Sequence, residues 1–302
     1  MDMTGVTRRS LGWVGGAVAL AGPVAAQATL TVSGATTRIR EALGPAWRDA
    51  ADEGVLLGDA EAPVRGIAVT AVPTAVALQE AARRGCNLVI ALESPLYARP
   101  GAPGSGYPPG SGPRAAAALK AEPVYAGKTA LVTRLGLTVV RMNESLQAHR
   151  PALAAEALAG RFGWRGGRAA EQGSFFDIPA TPLSALLRKA QGLADRGGLR
   201  HIGALDMPIR RVLVIPGKAD VVPAVHGLQQ ADLLLTGDLR EWEIVEYIAD
   251  STPAGHPKAL IALGRTVSQQ PYVDALATWL KPMFPRTRIE AVRNADPFWR
   301  AA

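Results

Sequence analysis

Five short segments of the chain are apolar almost without interruption: Asn87–Leu92 (NLVIAL), Leu137–Met142 (LTVVRM), Arg210–Gly217 (RRVLVIPG), Ala231–Gly237 (ADLLLTG) and Lys258–Gly264 (KALIALG). A strand with one wet face alternates apolar and polar residues. These do not, so both faces must be covered, which is the situation of a parallel sheet flanked by helices. Helix-patterned stretches lie between them. PTAVALQEAARRG has Pro73 near its start and Gly85 as its stop. VYAGKTALVTRLG ends at Gly136, Pro151–Phe162 ends before Gly163, and Thr181-Pro182 is expected to cap LSALLRKAQGLADR. VVPAVHGLQQ, the acidic REWEIVEYIAD and PYVDALATWLKPMF continue the alternation. This pattern predicts an α/β fold with mostly parallel sheets. VRGIAVTAV (Val64–Val72), the helix after it and NLVIAL form one β-α-β unit. Thr37–Leu43 reads as a first helix, LRHIGAL and RRVLVIPG as adjacent strands, and TRIEAV as the last strand before DPFW.

The amino terminus has a different character. Arg8 and Arg9 precede the apolar run Leu11–Leu20. Gly22 and Pro23 then break it, and Ala26-Gln27-Ala28 has the small-x-small form of a cleavage site. This layout predicts a signal peptide over residues 1–28, and the Thr7-Arg8-Arg9-Ser10-Leu11 order is similar to a twin-arginine signal. The chain is therefore expected to be exported, to a periplasm or beyond, with a mature form beginning near Thr29. No later segment is long and apolar enough to span a membrane. Cys86 is the only cysteine, so no internal disulfide forms. The net charge of +7 is carried by scattered Arg and Lys without a run, which reads as a solvated basic surface, not a nucleic-acid site. The Gly/Pro/Ser-rich stretch Glu93–Arg114 holds no regular element and is expected to be a flap over the end of the Asn87–Leu92 strand.

Ligands of open α/β sheets bind beyond the carboxyl ends of the strands, so four strand ends are of interest. Glu93 and Ser94 follow Leu92. Asn143, Glu144 and Gln147 follow Met142. Arg265 and Gln269 stand on the turn after Gly264, and Asp238 follows LLLTG. The usual signatures are absent: no phosphate loop, no Gly-x-Gly-x-x-Gly and no Gly-x-Ser-x-Gly elbow. His149, His201, His226 and His256 are not spaced as a metal set, and Ser94 and Ser268 have no neighbouring His.

The order of segments resembles the Nif-three-like family, also called GTP cyclohydrolase I type 2 homologues. The resemblance runs from about Ile39 to Trp299. It is carried by GIAVTAVPTAVALQEAARRGCNLVIALESPLY, TGDLREWEIVEYIAD, KALIALGRTVSQ and DPFW, and is nearest the exported branch. It implies two α/β subdomains with a site between them, here residues 29–150 plus 256–302 and residues 151–255. It also implies a homo-oligomer, a hexamer in the family, with the helices around Trp242 and Trp279 as packing faces. Family members hold two divalent metal ions with five side chains. The positions that correspond here are Leu92 and Glu93 in place of a His pair or His-Glu, Asn143 and Gln147 in place of His and Asp or His, and Arg265 and Gln269 in place of His and Glu. Arg265 would put a permanent cation where a metal sits, so no metal cofactor is expected.

Three readings follow. One is a relative without metal whose pocket binds a small anionic or polar molecule, with Arg265 as the fork. Another is an oligomeric scaffold. The third is a metal-dependent hydrolase with a reduced site of Glu93, Glu144 and Asp238, one divalent ion and a water nucleophile.

Overall fold

A computed structural model describes residues 29–48, 53–97, 119–120, 122–194 and 199–295. The signal segment 1–28, residues 98–114 of the expected flap, and the DPFW segment lie outside the described residues.

The first half opens with α1 (Val32–Leu43), capped by Thr31, whose Oγ1 accepts from the Gly34 N–H. Then come β1 (Gly54–Leu57), β2 (Gly66–Thr70), α2 (Ala75–Arg83), β3 (Leu88–Ala91), α3 (Pro123–Arg134), β4 (Thr138–Arg141) and the short α4 (Glu144–His149). The second half holds α5 (Leu153–Arg161), β5 (Arg168–Ala169), β6 (Ser174–Pro182), α6 (Leu183–Gln191), β7 (Arg200–Ile202), β8 (Pro208–Lys218), α7 (Val221–Leu228) and β9 (Leu233–Asp238). A π-turn (Glu241–Val245) leads into α8 (Glu246–Ser251), and β10 (Ala259–Ala262) follows. The long α9 (Arg265–Leu280) and β11 (Arg288–Ala291) return to the first half.

The strands form two sheets, ordered β1-β4-β3-β2-β11 and β5-β6-β8-β9-β10-β7. Within the first, β4, β3, β2 and β11 run parallel and only β1 is antiparallel. Each sheet is covered on both faces, which explains the unbroken apolar strands. In β3, Leu88 and Ile90 pack with α1 and α9, while Val89 and Ala91 pack with α2 on the other face. In the second sheet, α5 and α6 cover one face and α7 with the π-turn and α8 the other.

Several expectations are corrected. The second sheet is mixed: β8, β9 and β10 are parallel, whereas β5, β6 and β7 run antiparallel to their neighbours. LRHIGAL and RRVLVIPG are not neighbours, because both edges of β8 are taken by β6 and β9, and β7 is left to pair with β10 at the rim. The first subdomain does not resume at 256. β10 belongs to the second sheet, so the chain crosses back between Leu263 and Arg265. Thr181 does not cap α6; it lies in β6 and its hydroxyl donates to the Pro179 carbonyl. Of the expected packing faces, Trp242 is exposed, whereas Trp279 packs against the first core with its ring 5.9 Å from His149. Among the described residues no helix is long and apolar enough to cross a membrane.

Candidate functional site

The carboxyl ends of β3, β4, β8 and β9 converge on the start of α9. Gly264, at φ 85°, turns the chain out of β10 and serves as the helix N-cap, a backbone conformation glycine adopts without Cβ strain. The helix therefore begins at Arg265, earlier than the sequence pattern predicts, and Arg265 and Gln269 stand on its first turns instead of on a loop. Close approach of this turn to the sheet depends on two more glycines. A Cβ on Gly237 would lie 2.2 Å from Ser268 Oγ and 2.5 Å from the Gly217 carbonyl oxygen. Ser268 ties the turn down: its Oγ accepts from the Gly217 N–H (2.9 Å) and donates to the Arg265 carbonyl (2.8 Å). Ser268 is thus a strut and not a nucleophile.

The Arg265 guanidinium spans the junction of the two halves. Its Nη1 donates to Glu93 Oε1 at 2.8 Å and its Nε to Asp238 Oδ2 at 2.7 Å. Glu93 comes from the end of β3 and Asp238 from the end of β9, so one side chain joins strand ends of both sheets. Charge-assisted bonds of this geometry are about twice as strong as neutral ones.

Around this triad lies a cleft of about 820 Å³. Glu93, Ser94 and Tyr97 line it from the β3 end, Asn143, Glu144 and Gln147 from the β4 end, and Arg265 and Gln269 from α9. Gln147 Nε2 donates to Asn143 Oδ1 at 2.9 Å. Glu144 Oε1 accepts from the wholly buried Arg141 at 2.8 Å. Behind them Glu53 accepts from the Asn143 N–H and from Ser145, and burial raises its pKa above the usual carboxylate range. Gln269 is almost completely buried, and its Oε1 has no hydrogen-bond partner among the described residues. Such an atom costs about 1–3 kcal/mol, and its place on the cleft floor makes it a candidate acceptor for a ligand N–H or O–H.

Leu92 does not join this group. It is buried in the first core beside Leu88 and Ile90 and is not part of the cleft lining. Leu92 continues the Leu88–Ile90 row into the core under α9, whereas Glu93, one residue further past the end of β3, reaches Arg265 at the start of that helix. Asp238 reaches the site through Arg265. Lys218, Asp220, Arg240 and Gln172 also line the cleft and were missed from sequence. Lys218 ends the β8 strand, so the strand-end rule applied to RRVLVIPG would have found it; nothing local marks Gln172.

A dinuclear centre needs several imidazoles or carboxylates free to bind. The residues here do not fit that requirement. Glu93 and Asp238 are held by Arg265, and Glu144 by Arg141. Among the described residues no three His, Cys, Asp or Glu side chains gather as a metal-holding set. The three carboxylates of the reduced hydrolase site are likewise committed to arginines.

Taken together, two helix-covered sheets with a cleft where their strand ends meet define an α/β protein with its site between two halves. The fold is the Nif-three-like one. The chain is similar to the Staphylococcus aureus hypothetical protein SA1388, with a TM-score of 0.67 and 15% identity over 90% of this chain and 100% of that one. A Bacillus cereus protein related to NIF3 gives a TM-score of 0.67 at 12% identity, covering 90% and 99%. Protein ybgI, of unknown function, gives 0.64 at 17%, covering 89% and 100%. No protein-family model and no curated protein matches the chain.

Proposed function

We propose that the protein is an exported, self-associating member of the Nif-three-like scaffold that holds a small polar molecule in its cleft without a metal pair. The observation that carries this reading is the Arg265 guanidinium lying between Glu93 and Asp238. A fixed cation within about 4 Å of a divalent ion costs roughly 4 kcal/mol per unit-charge contact at an effective dielectric near 20. The imidazole and carboxylate bonds that would offset this are missing. The triad supplies instead what a metal pair would otherwise supply, a link between strand ends.

The same geometry moves the expected anion fork. Three nitrogens of Arg265 already face carboxylates, Nη1 towards Glu93 and Nε and Nη2 towards Asp238, so an anion there would meet two negative groups beside the guanidinium. The neutral amides of Asn143, Gln147 and Gln269 remain as the recognition surface, and a polar ligand bearing N–H or O–H donors suits the buried Gln269 Oε1.

The test uses mature protein recovered from the exported fraction of its native host. Plasma mass spectrometry is expected to give far less than one metal ion per chain, a chelator to leave the melting temperature unchanged, and light scattering to give a mass above that of one chain. Close to two Zn, Fe or Mn per chain would overturn the metal-free reading. Monomeric mass would remove self-association from it.

A further inference from the structure

The buried face of α3 carries Lys128, Leu131 and Val132. These positions are spaced i, i+3 and i+4, the stripe with which a helix meets its sheet. Leu131 and Val132 are what such a stripe calls for; Lys128 is not. A lysine at a core-facing position normally carries its ammonium out to water or to a carboxylate. Lys128 has no carboxylate partner among the described residues, and the residue is only 6% exposed. Its described contact is the face of the Tyr97 ring, with Nζ 4.6 Å from the centroid, and it makes no hydrogen bond or ion pair among the described residues. Tyr97 itself lines the cleft and holds φ 60°, the left-handed region that a non-glycine residue occupies at a cost. One aromatic ring thus separates a buried amine from the cleft.

We propose that Lys128 is a nucleophilic amine that condenses with the carbonyl group of a small aldehyde or ketone entering the cleft beside Tyr97. The neutral amine nitrogen attacks the carbonyl carbon and forms the C–N bond. The carbinolamine then expels its oxygen as water, taking up the proton that the nitrogen gives up, and leaves an imine. No oxidant or reductant takes part. Burial supports the chemistry, because desolvation pushes the Lys128 ammonium down to about 8 from 10.5. Lowering a lysine in this way is how amines are activated for imine formation. At about pH 7.5 roughly a quarter of such amines are neutral, against about one in a thousand at the ordinary value. The lower basicity gives back part of that gain in nucleophilicity, as it does for thiols, which leaves an advantage of about tenfold or more.

The test is independent of the reading of the cleft as a ligand pocket. Folded mature protein is treated with acetaldehyde and cyanoborohydride, which fixes an imine as N-ethyl-lysine, and each lysine is followed by peptide mass spectrometry. Lys128 is expected to react at least about tenfold faster than Lys120, Lys189, Lys218, Lys258 or Lys281, with a rate that rises through an apparent pKa near 8. In Lys128→Met, whose side chain suits the apolar stripe, the fast site should disappear while the melting temperature holds. Labelling of Lys128 in the wild-type protein no faster than that of the other lysines would overturn the proposal.

Discussion

Arg265 differs from its two partners in what its loss leaves behind. Removing Glu93 leaves the guanidinium with Asp238, whereas removing Arg265 leaves two carboxylates facing one another across the cleft floor without the cation between them. The triad is partly solvated, with Arg265 30% and Asp238 41% exposed, so the cost lies well below that of a fully buried pair. Arg265→Met is expected to lower stability in urea by about 1–2 kcal/mol and Glu93→Gln by less than about 1 kcal/mol. The reverse order would mean that the guanidinium is not the centre of the arrangement. Much of this cluster is legible in the sequence. Glu93, Asn143, Gln147, Arg265 and Gln269 each follow an apolar strand, and strand ends in an α/β sheet converge. What sequence does not give is direction. Leu92 lies one residue from Glu93 yet turns into the core, and only the pairing of β3 with β2 and β4 decides which of the two faces the cleft.

The helices were legible where one face is wet and obscure where both are dry. α9 is the clearest case. Its sequence shows no clean amphipathic stripe before Pro271, and proline favours a helix's first turn, so the pattern starts the helix there. In the structure it starts at Arg265, and Ser268, Gln269, Pro271, Tyr272 and Val273 are all buried. A helix wedged between two layers has no polar face to reveal its period. β7 was misplaced for a similar reason: local pattern identifies a strand but not the free edge it will find. The wedge depends on Gly237, where any Cβ would meet the Gly217 backbone and Ser268. Gly237→Ala is expected to destabilise the protein by about 2–4 kcal/mol, in the range of severe overpacking. Gly127→Ala should stabilise it by about 0.5–1 kcal/mol, since Gly127 sits in the exposed interior of α3 with nothing within 4 Å of its added Cβ. Urea denaturation of the two variants checks the contrast, and a mild Gly237→Ala would mean the turn is looser than its contacts indicate.

At the scale of the whole molecule, the two sheets have separate cores, yet two helices belong to both. α9 places Val267 against the core of the second half and Tyr272 through Leu280 in the core of the first. α5 does the same in reverse: Leu153 and Ala154 lean on the first core while Ala155, Leu158 and Ala159 lie in the second. The two helices are themselves joined by the Arg161–Asp274 ion pair at 2.8 Å. Unfolding either half would strip these helices of part of their buried surface and expose the cleft floor with the Arg265 triad. Independent domains joined by a linker lack such shared elements and melt separately. The halves are therefore expected to unfold as one cooperative unit. The tryptophans allow a direct measurement, because Trp164 packs on the second core while Trp47 and Trp279 pack on the first. Two variants, one retaining only Trp164 and one only Trp279, should give fluorescence transitions in urea with the same midpoint. Both should coincide with the loss of helix followed by circular dichroism. Midpoints that differ between the two reporters would show that α5 and α9 do not bind the halves into one unit, and would leave the Arg265 bridge as a contact between domains instead of part of a common core.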